Sequence, residues 1–281
     1  MSRYLIVGVL LSGACTALGQ IRVACELPHE VYVPFEPVVA SVTLINDTGT
    51  DIPLGSQSGA IQIRMDMTDV YGNALSRMSR KGLTAPDTLP AYTSVVIQAS
   101  LQRMYDLTAR GEYSVTAKAE WGDSSFASPK RFFDIIPGVE LKRAKVPLAD
   151  GLGSRTYMLI TINRARGDQL LVRVDDEEQS LCYGVVNLGR MLNRRKPPII
   201  KVDSLGQCHV LFQRAPGQYA YAVCGPDAVL MKQDDLASEY QDARLEIDDS
   251  GDVVVLGIPL PEPPPVYRGT LEDNPIRRPP P

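Results

Sequence analysis

Tyr105-Asp-Leu-Thr-Ala-Arg-Gly-Glu-Tyr-Ser-Val-Thr-Ala-Lys-Ala-Glu-Trp121 is the stretch that decides the fold class. In its second half Tyr113, Val115, Ala117 and Ala119 fall on one face, and Glu112, Ser114, Thr116, Lys118 and Glu120 on the other. A period of two belongs to a half-buried antiparallel strand. The first half is a corner feeding that strand: Leu107 is apolar, Gly111 permits a tight turn and Tyr113 opens the alternating run. Similar runs flank it at Ile21–Cys25, Glu36–Asn46, Asp51–Leu54, Ile61–Met67, Thr93–Leu101 and Phe126–Ile136. Pro28, Pro34, Asn46-Asp-Thr-Gly49 and Val70-Tyr-Gly-Asn73 punctuate them, and Pro129 marks an edge or a bulge.

About seven short strands in ~115 residues is the spacing of a two-sheet sandwich. The Leu107–Gly111–Tyr113 corner resembles the tyrosine corner of immunoglobulin-like domains, and Glu36-Pro-Val followed by Val42 to Gly49 resembles the opening of bacterial immunoglobulin-like accessory modules. The resemblance implies a β-sandwich over residues 20–137 and carries no function with it. The inter-sheet cysteine pair of antibody domains is missing, because Cys25 is the only cysteine in this region. Trp121, the single tryptophan, follows the corner strand and reads as strand-end packing rather than a ligand platform.

The chain has 281 residues, enough for two ordinary domains. Its net charge of −4, with 29 basic against 33 acidic residues, gives no electrostatic footprint for nucleic acid as a partner. Residues 1–19 read as an export signal: Arg3, an apolar core from Tyr4 to Leu11, and a small-x-small site at Ala17-Leu-Gly19. A rival lipobox at Leu11-Ser-Gly-Ala-Cys15 has Ser12 where an aliphatic residue belongs, so membrane attachment is expected only if Cys15 is lipidated. The expected address is periplasmic or extracellular.

Residues 138–258 read as a second all-β module, an open meander or a partial propeller-like sheet. Glu140-Leu-Lys-Arg-Ala-Lys145 is taken as a charged connection and Asp150-Gly-Leu-Gly153 as a flexible turn. Short strands follow at Tyr157–Asn163, Gln169–Val174, Leu181–Val186, Ile199–Val202, Cys208–Gln213, Tyr219–Cys224, Leu245–Ile247 and Val253–Ile258, with a helix candidate at Gln233–Arg244. Val202-Asp-Ser-Leu-Gly-Gln-Cys-His and Ile247-Asp-Asp-Ser-Gly-Asp-Val-Val repeat a strand–turn–strand pattern at about the blade period of propellers, with an echo at Arg166-Gly-Asp168. A closed propeller needs at least about four blades, more than this length holds.

One hairpin permits a register argument. With Arg214-Ala-Pro-Gly-Gln218 as the loop, Gln213 faces Tyr219, Phe212 faces Ala220, Val210 faces Ala222 and Cys208 faces Cys224. In an exported protein such a cysteine pair is either a cross-strand disulfide or two small buried thiols. From Pro259 the prolines break any ladder or helix, so residues 259–281 read as a disordered, extended tail, an unstructured end rather than a recognition stretch or a spacer.

No Gly-rich phosphate loop or nucleophile elbow occurs, so no catalytic residue, cofactor or metal is assigned. His209 reads as a packed or hydrogen-bonded sheet residue rather than a catalytic base, and Asp175-Asp-Glu-Glu178 as a solvated hairpin tip rather than a calcium loop. Arg190–Lys196 reads as a solvated basic loop. The expected function is that of an exported, non-catalytic accessory protein with a protein or cell-envelope partner. Two alternatives stand beside it: a carbohydrate-directed protein or hydrolase fragment using the second module, and a protease inhibitor presenting the Ser76–Pro86 loop.

Overall fold

The computed structural model describes residues 20–79, 82–147, 153–192, 196–237 and 243–257. The expected export signal and the proline-rich tail lie outside the described residues. The fold is all-β, and the chain divides into two compact units at the Ile136–Pro137 junction.

The first unit contains β1 (Ile21–Glu26), β2 (Val31–Tyr32), β3 (Val39–Asn46), β4 (Ile52–Pro53), β5 (Gln62–Asp69), β6 (Leu83–Thr84), β7 (Thr88–Leu89), β8 (Ser94–Ser100), β9 (Gly111–Trp121), β10 (Ser124–Ala127) and β11 (Arg131–Ile135). One sheet runs β1-β3-β8-β6, and the other β10-β9-β11-β2 with β5 along the opposite edge of β9. The pairing is antiparallel except between β11 and β2. The two sheets share one core. Val42, Leu44, Ile97 and Ala99 come from the first sheet, and Met65, Val115, Ala117 and Phe133 from the second. The alternation in β9 sets this: Tyr113, Val115, Ala117 and Ala119 are buried, while on the polar face Glu112 is exposed, Thr116, Lys118 and Glu120 are half-exposed, and Ser114 is buried.

The corner entering β9 is held by its tyrosine. The Tyr113 hydroxyl donates to the Ala109 carbonyl at 2.9 Å, its ring stacks on Phe133, and Leu107 is buried. Gly111 takes φ +153°, which a side chain would resist. Asn46 does comparable work at the end of β3. It is fully buried, its amide nitrogen donates to the carbonyls of Thr50, Leu89 and Pro90, and its oxygen accepts from the Thr48 amide and hydroxyl. All its hydrogen-bonding capacity is used, so the burial carries no orphan-group penalty.

The second unit is a series of meanders. A first sheet holds β12 (Val139–Pro147), β13 (Ser154–Arg164), β14 (Gly167–Asp176) and β15 (Leu181–Arg190) in that order. A second holds β16 (Ile199–Val202), β17 (Cys208–Ala215), β18 (Gln218–Cys224) and β19 (Leu230–Ala237). A third consists of β20 (Arg244–Ile247) and β21 (Val253–Leu256). The second sheet is apolar on both faces. Cys208, Val210, Phe212, Ala220 and Ala222 meet Tyr157, Leu159 and Val172 of the first sheet, and Leu211, Tyr219, Tyr221 and Val223 meet Leu245 and Val255 of the third.

Two expectations need correction. Glu140–Lys145 is not a connection but part of β12. Leu141 and Val146 pack on the core, while Arg143 and Lys145 reach acidic side chains of the neighbouring hairpin, so the charges disguise a strand. The described residues of Gln233–Arg244 form no helix, and residues 238–242 lie outside the described residues. Gln233–Ala237 extends β19 against β18, Arg244 opens β20, and cross-strand packing of Leu236 overrides the local propensity.

Three turns share one construction. Asp69, Asp203 and Asp248 each accept the amides two and four residues ahead through Oδ1. In each, the glycine three residues on adopts φ near +80° and donates to the aspartate carbonyl. Two of the three are the repeats read from the sequence. The Arg166-Gly-Asp168 echo is of another kind, because it joins second and third strands rather than first and second. Asp150-Gly-Leu-Gly153 stands between β12 and β13, where the pattern belongs by strand order, and all but Gly153 of it lies outside the described residues.

Candidate binding cleft

The edge strands β5 and β6 close one side of the first unit incompletely, since neither is bonded to the other. Between them lies an open cleft of about 1210 Å³. Arg64 and Asp66 of β5 form one wall, Leu83 to Asp87 the other, and Leu75 to Ser79 run along it with Tyr105 at the base. Met78 is 62% exposed there.

The cleft is built from the strand pattern. In β5, Met65 and Met67 point into the core, which aims Arg64 and Asp66 outward. Asp66 bonds Arg64 Nε and Lys118 Nζ, each at 2.7 Å. Burial works against its charge, but the hydrogen bonds from Lys118 and Arg64 prevail and hold the carboxyl below its usual range. Arg77 bonds the Ser79 carbonyl and the Met104 sulfur instead of a carboxylate. The Tyr105 hydroxyl donates to the Met65 carbonyl on the free edge of β5, and the Leu75 amide donates to Met67 there. Burial pushes the Tyr105 phenol up.

The Ser76–Pro86 loop is therefore a cleft wall. Its described part is tied down by Met78 N–H to the Met104 carbonyl, by Ser100 N–H to the Gly82 carbonyl and by β6 pairing with β8. Trp121 packs against the core and its indole donates to the Gly59 carbonyl at 3.1 Å, so it serves packing. A second depression of about 600 Å³ beside β11 carries Glu26, Glu112 and Asp134 together with Lys130 and Arg131.

In the second unit Cys208 faces Cys224 in the β17–β18 register, and both are free thiols with no exposed surface. No bond joins them. The Asp203–Gln207 closure makes 208/224 a hydrogen-bonded pair, and side chains of such pairs stand farther apart than those of the alternate pairs. Burial pushes the Cys224 thiol up to about 12 and the Cys208 thiol well above its ordinary value, so they behave as small apolar groups.

His209 lies in a buried chain of three. Its Nδ1 meets the Tyr221 hydroxyl at 2.6 Å and its Nε2 meets Asp203 Oδ2 at 2.9 Å. No described cavity opens on these groups. Asp203 also caps its own turn, and the Tyr157 hydroxyl donates to the Gly206 carbonyl from the adjoining sheet. Together these hydrogen bonds hold the turn in place. Sequence reading placed His209 on a buried face but missed its two partners, which are close only in the folded hairpins.

Asp175-Asp-Glu-Glu178 is neutralised residue by residue: Asp175 by Arg173, the buried Asp176 by Arg155, Glu177 by Arg143 and Lys145, and Glu178 by Lys145. Among the described residues no group of three or more acidic, cysteine or histidine side chains suits a metal ion. Within Arg190–Lys196, Met191 is buried in the core, and Asn193 to Arg195 lie outside the described residues. Tyr219 and Tyr221 are buried, and a depression of the second unit at Lys145, Ser154 and Glu178 is about 420 Å³. No helix among the described residues is long and apolar enough to cross a membrane. No family model matches the chain, and no curated protein matches it significantly.

Proposed function

We propose that the chain is an exported, non-catalytic binding protein whose first unit takes a protein or cell-envelope partner into the β5–β6 cleft. The cleft carries this reading. It is concave, it offers an exposed Met78 together with Leu83, and its Asp66 is paired with Arg64 and with Lys118 of β9. An exposed methionine among side chains of both charges, Arg64 and Arg77 beside Asp66, Asp87 and Glu120, suits a partner of mixed polarity and not a polyanion.

The test is cross-linking of the tagged, exported protein in cells, with mass spectrometry of the attached species and of the mature N-terminus. One reproducible protein partner is expected, lost in Met78→Asp and kept in Val96→Asp, an exposed site on the outer face of β8. A partner retained by both variants would rule out the cleft. Retention on polysaccharide with no protein attached would favour the carbohydrate-directed alternative.

A further inference from the structure

The third sheet of the second unit starts like its predecessor and then stops. β16–β17 and β20–β21 are hairpins closed by the same aspartate turn. In the middle sheet the outer edge of β17 is covered by β18, which meets Cys208 and Val210 with Cys224 and Ala222. The corresponding edge of β21 has no covering strand among the described residues.

The hydrogen-bonding phase shows which groups are left over. Asp248 N–H bonds the Asp252 carbonyl, so the bonded pairs of the hairpin are Glu246/Val254 and Arg244/Leu256. Val253 and Val255 therefore turn their N–H and C=O groups away from β20. These four groups are the counterparts of those that β18 takes from Cys208 and Val210. Val253, Val254, Val255 and Leu256 are all half-exposed, which is an open apolar edge of the kind proteins otherwise cover or charge.

We propose that the β21 edge accepts one extended strand of a partner polypeptide, alternating in apolar residues and basic at the end beside the Asp248–Asp252 turn. The unmet groups are amides and carbonyls at peptide spacing, which a lipid or a sugar does not match. The added strand continues an existing interface, because Tyr219, Tyr221 and Leu236 of β18 and β19 already form the apolar layer beneath the third sheet. The exposed Asp248, Asp249 and Asp252 supply the charge that a basic end complements. A second copy fits poorly. Two-fold antiparallel pairing of β21 with itself keeps both middle sheets on the same face, where β18 and β19 of each would compete for one space.

The probe is a fluorescein-labelled peptide, Thr-Val-Thr-Val-Thr-Lys-Lys, whose C-terminal lysines reach the turn when it pairs antiparallel to β21 as β18 does to β17, titrated into the full chain and followed by anisotropy. Saturable binding is expected, with slowed amide exchange at Val253 and Val255. Val255→Pro removes one edge-facing N–H and no bond to β20, so circular dichroism should be unchanged while affinity falls about tenfold or more. Methylating the peptide amides that face β21 should abolish binding. Three results overturn the proposal: no saturation at millimolar peptide, equal binding by Val255→Pro, or binding that emerges only after residues 258–281 are deleted, which would make the chain's own tail the occupant.

Discussion

Replacing Asp203 with alanine should cost the second unit about 3 kcal/mol. Asp203 Oδ1 accepts the Leu205 amide at 3.0 Å and the Gln207 amide at 2.7 Å, while Oδ2 meets His209 Nε2 at 2.9 Å. The Leu205 amide is exposed and rehydrates, so its loss is worth about 0.5 kcal/mol. The Gln207 amide is partly buried and should cost about 1 kcal/mol. The imidazole is buried, keeps only Tyr221 as a partner, and accounts for the remaining 1.5 kcal/mol or so. Asp203→Asn behaves differently. It keeps an acceptor for both amides, and the ring accepts from the new N–H once its own proton moves to Nδ1, where Tyr221 oxygen receives it. The expected cost is about 1 kcal/mol. Urea unfolding followed by far-ultraviolet circular dichroism measures both variants. Trp121 fluorescence is an internal reference, because the only tryptophan lies in the first unit and its transition should not move. A loss under about 1 kcal/mol for alanine, or asparagine as damaging as alanine, would refute the keystone role given to this turn.

Tyr113→Phe deletes the bond to Ala109 and should lower the stability read by Trp121 by about 1 kcal/mol, with no change in the dichroism of the second unit. Gly251→Ala should cost more than Gly72→Ala. Both force a side chain into positive φ, worth about 1 kcal/mol, but at Gly251 the new Cβ also meets Ser204 Cβ at 3.0 Å, whereas at Gly72 it meets open space; equal thermal shifts would count against the packed contact. Burial pushes the Cys25 thiol from an ordinary 9.0 to about 11. Because the folded state resists ionisation there, its contribution is complete below pH 9 and is lost as pH rises toward 11. Stability by Trp121 should therefore fall about 1 kcal/mol between pH 9 and 10, and Cys25→Ala should flatten that slope.

Much of the first unit was legible because one face of each strand is buried and the other wet. Period-two alternation in β3, β5 and β9 then appears directly in the residues, as does the Leu107–Gly111–Tyr113 corner. The β17–β18 register was equally readable, since large residues had to face small ones. β12 was hidden because its charges answer Glu177 and Glu178 on another hairpin, a match no local window contains. β19 was hidden because Asp234 and Asp235, poor strand formers, are paired with Lys232 and Arg214. The cleft was invisible for a related reason. It is bounded by segments distant in sequence, and only the sheet order makes β5 and β6 edge strands.

The meander order of the second unit has a kinetic consequence. Every sheet there joins each strand to the next in the chain, so its contacts close loops of few residues. The first unit instead joins β3 to β8, β5 to β9 and β2 to β11, pairings that bring together distant parts of the chain. Loop-closure entropy must be met before such contacts stabilise anything, and rates fall as mean sequence separation grows. After dilution from denaturant, the dichroism of the second unit should recover first. The fluorescence of Trp121, seated in β9 where the long-range pairings converge, should report the slower event.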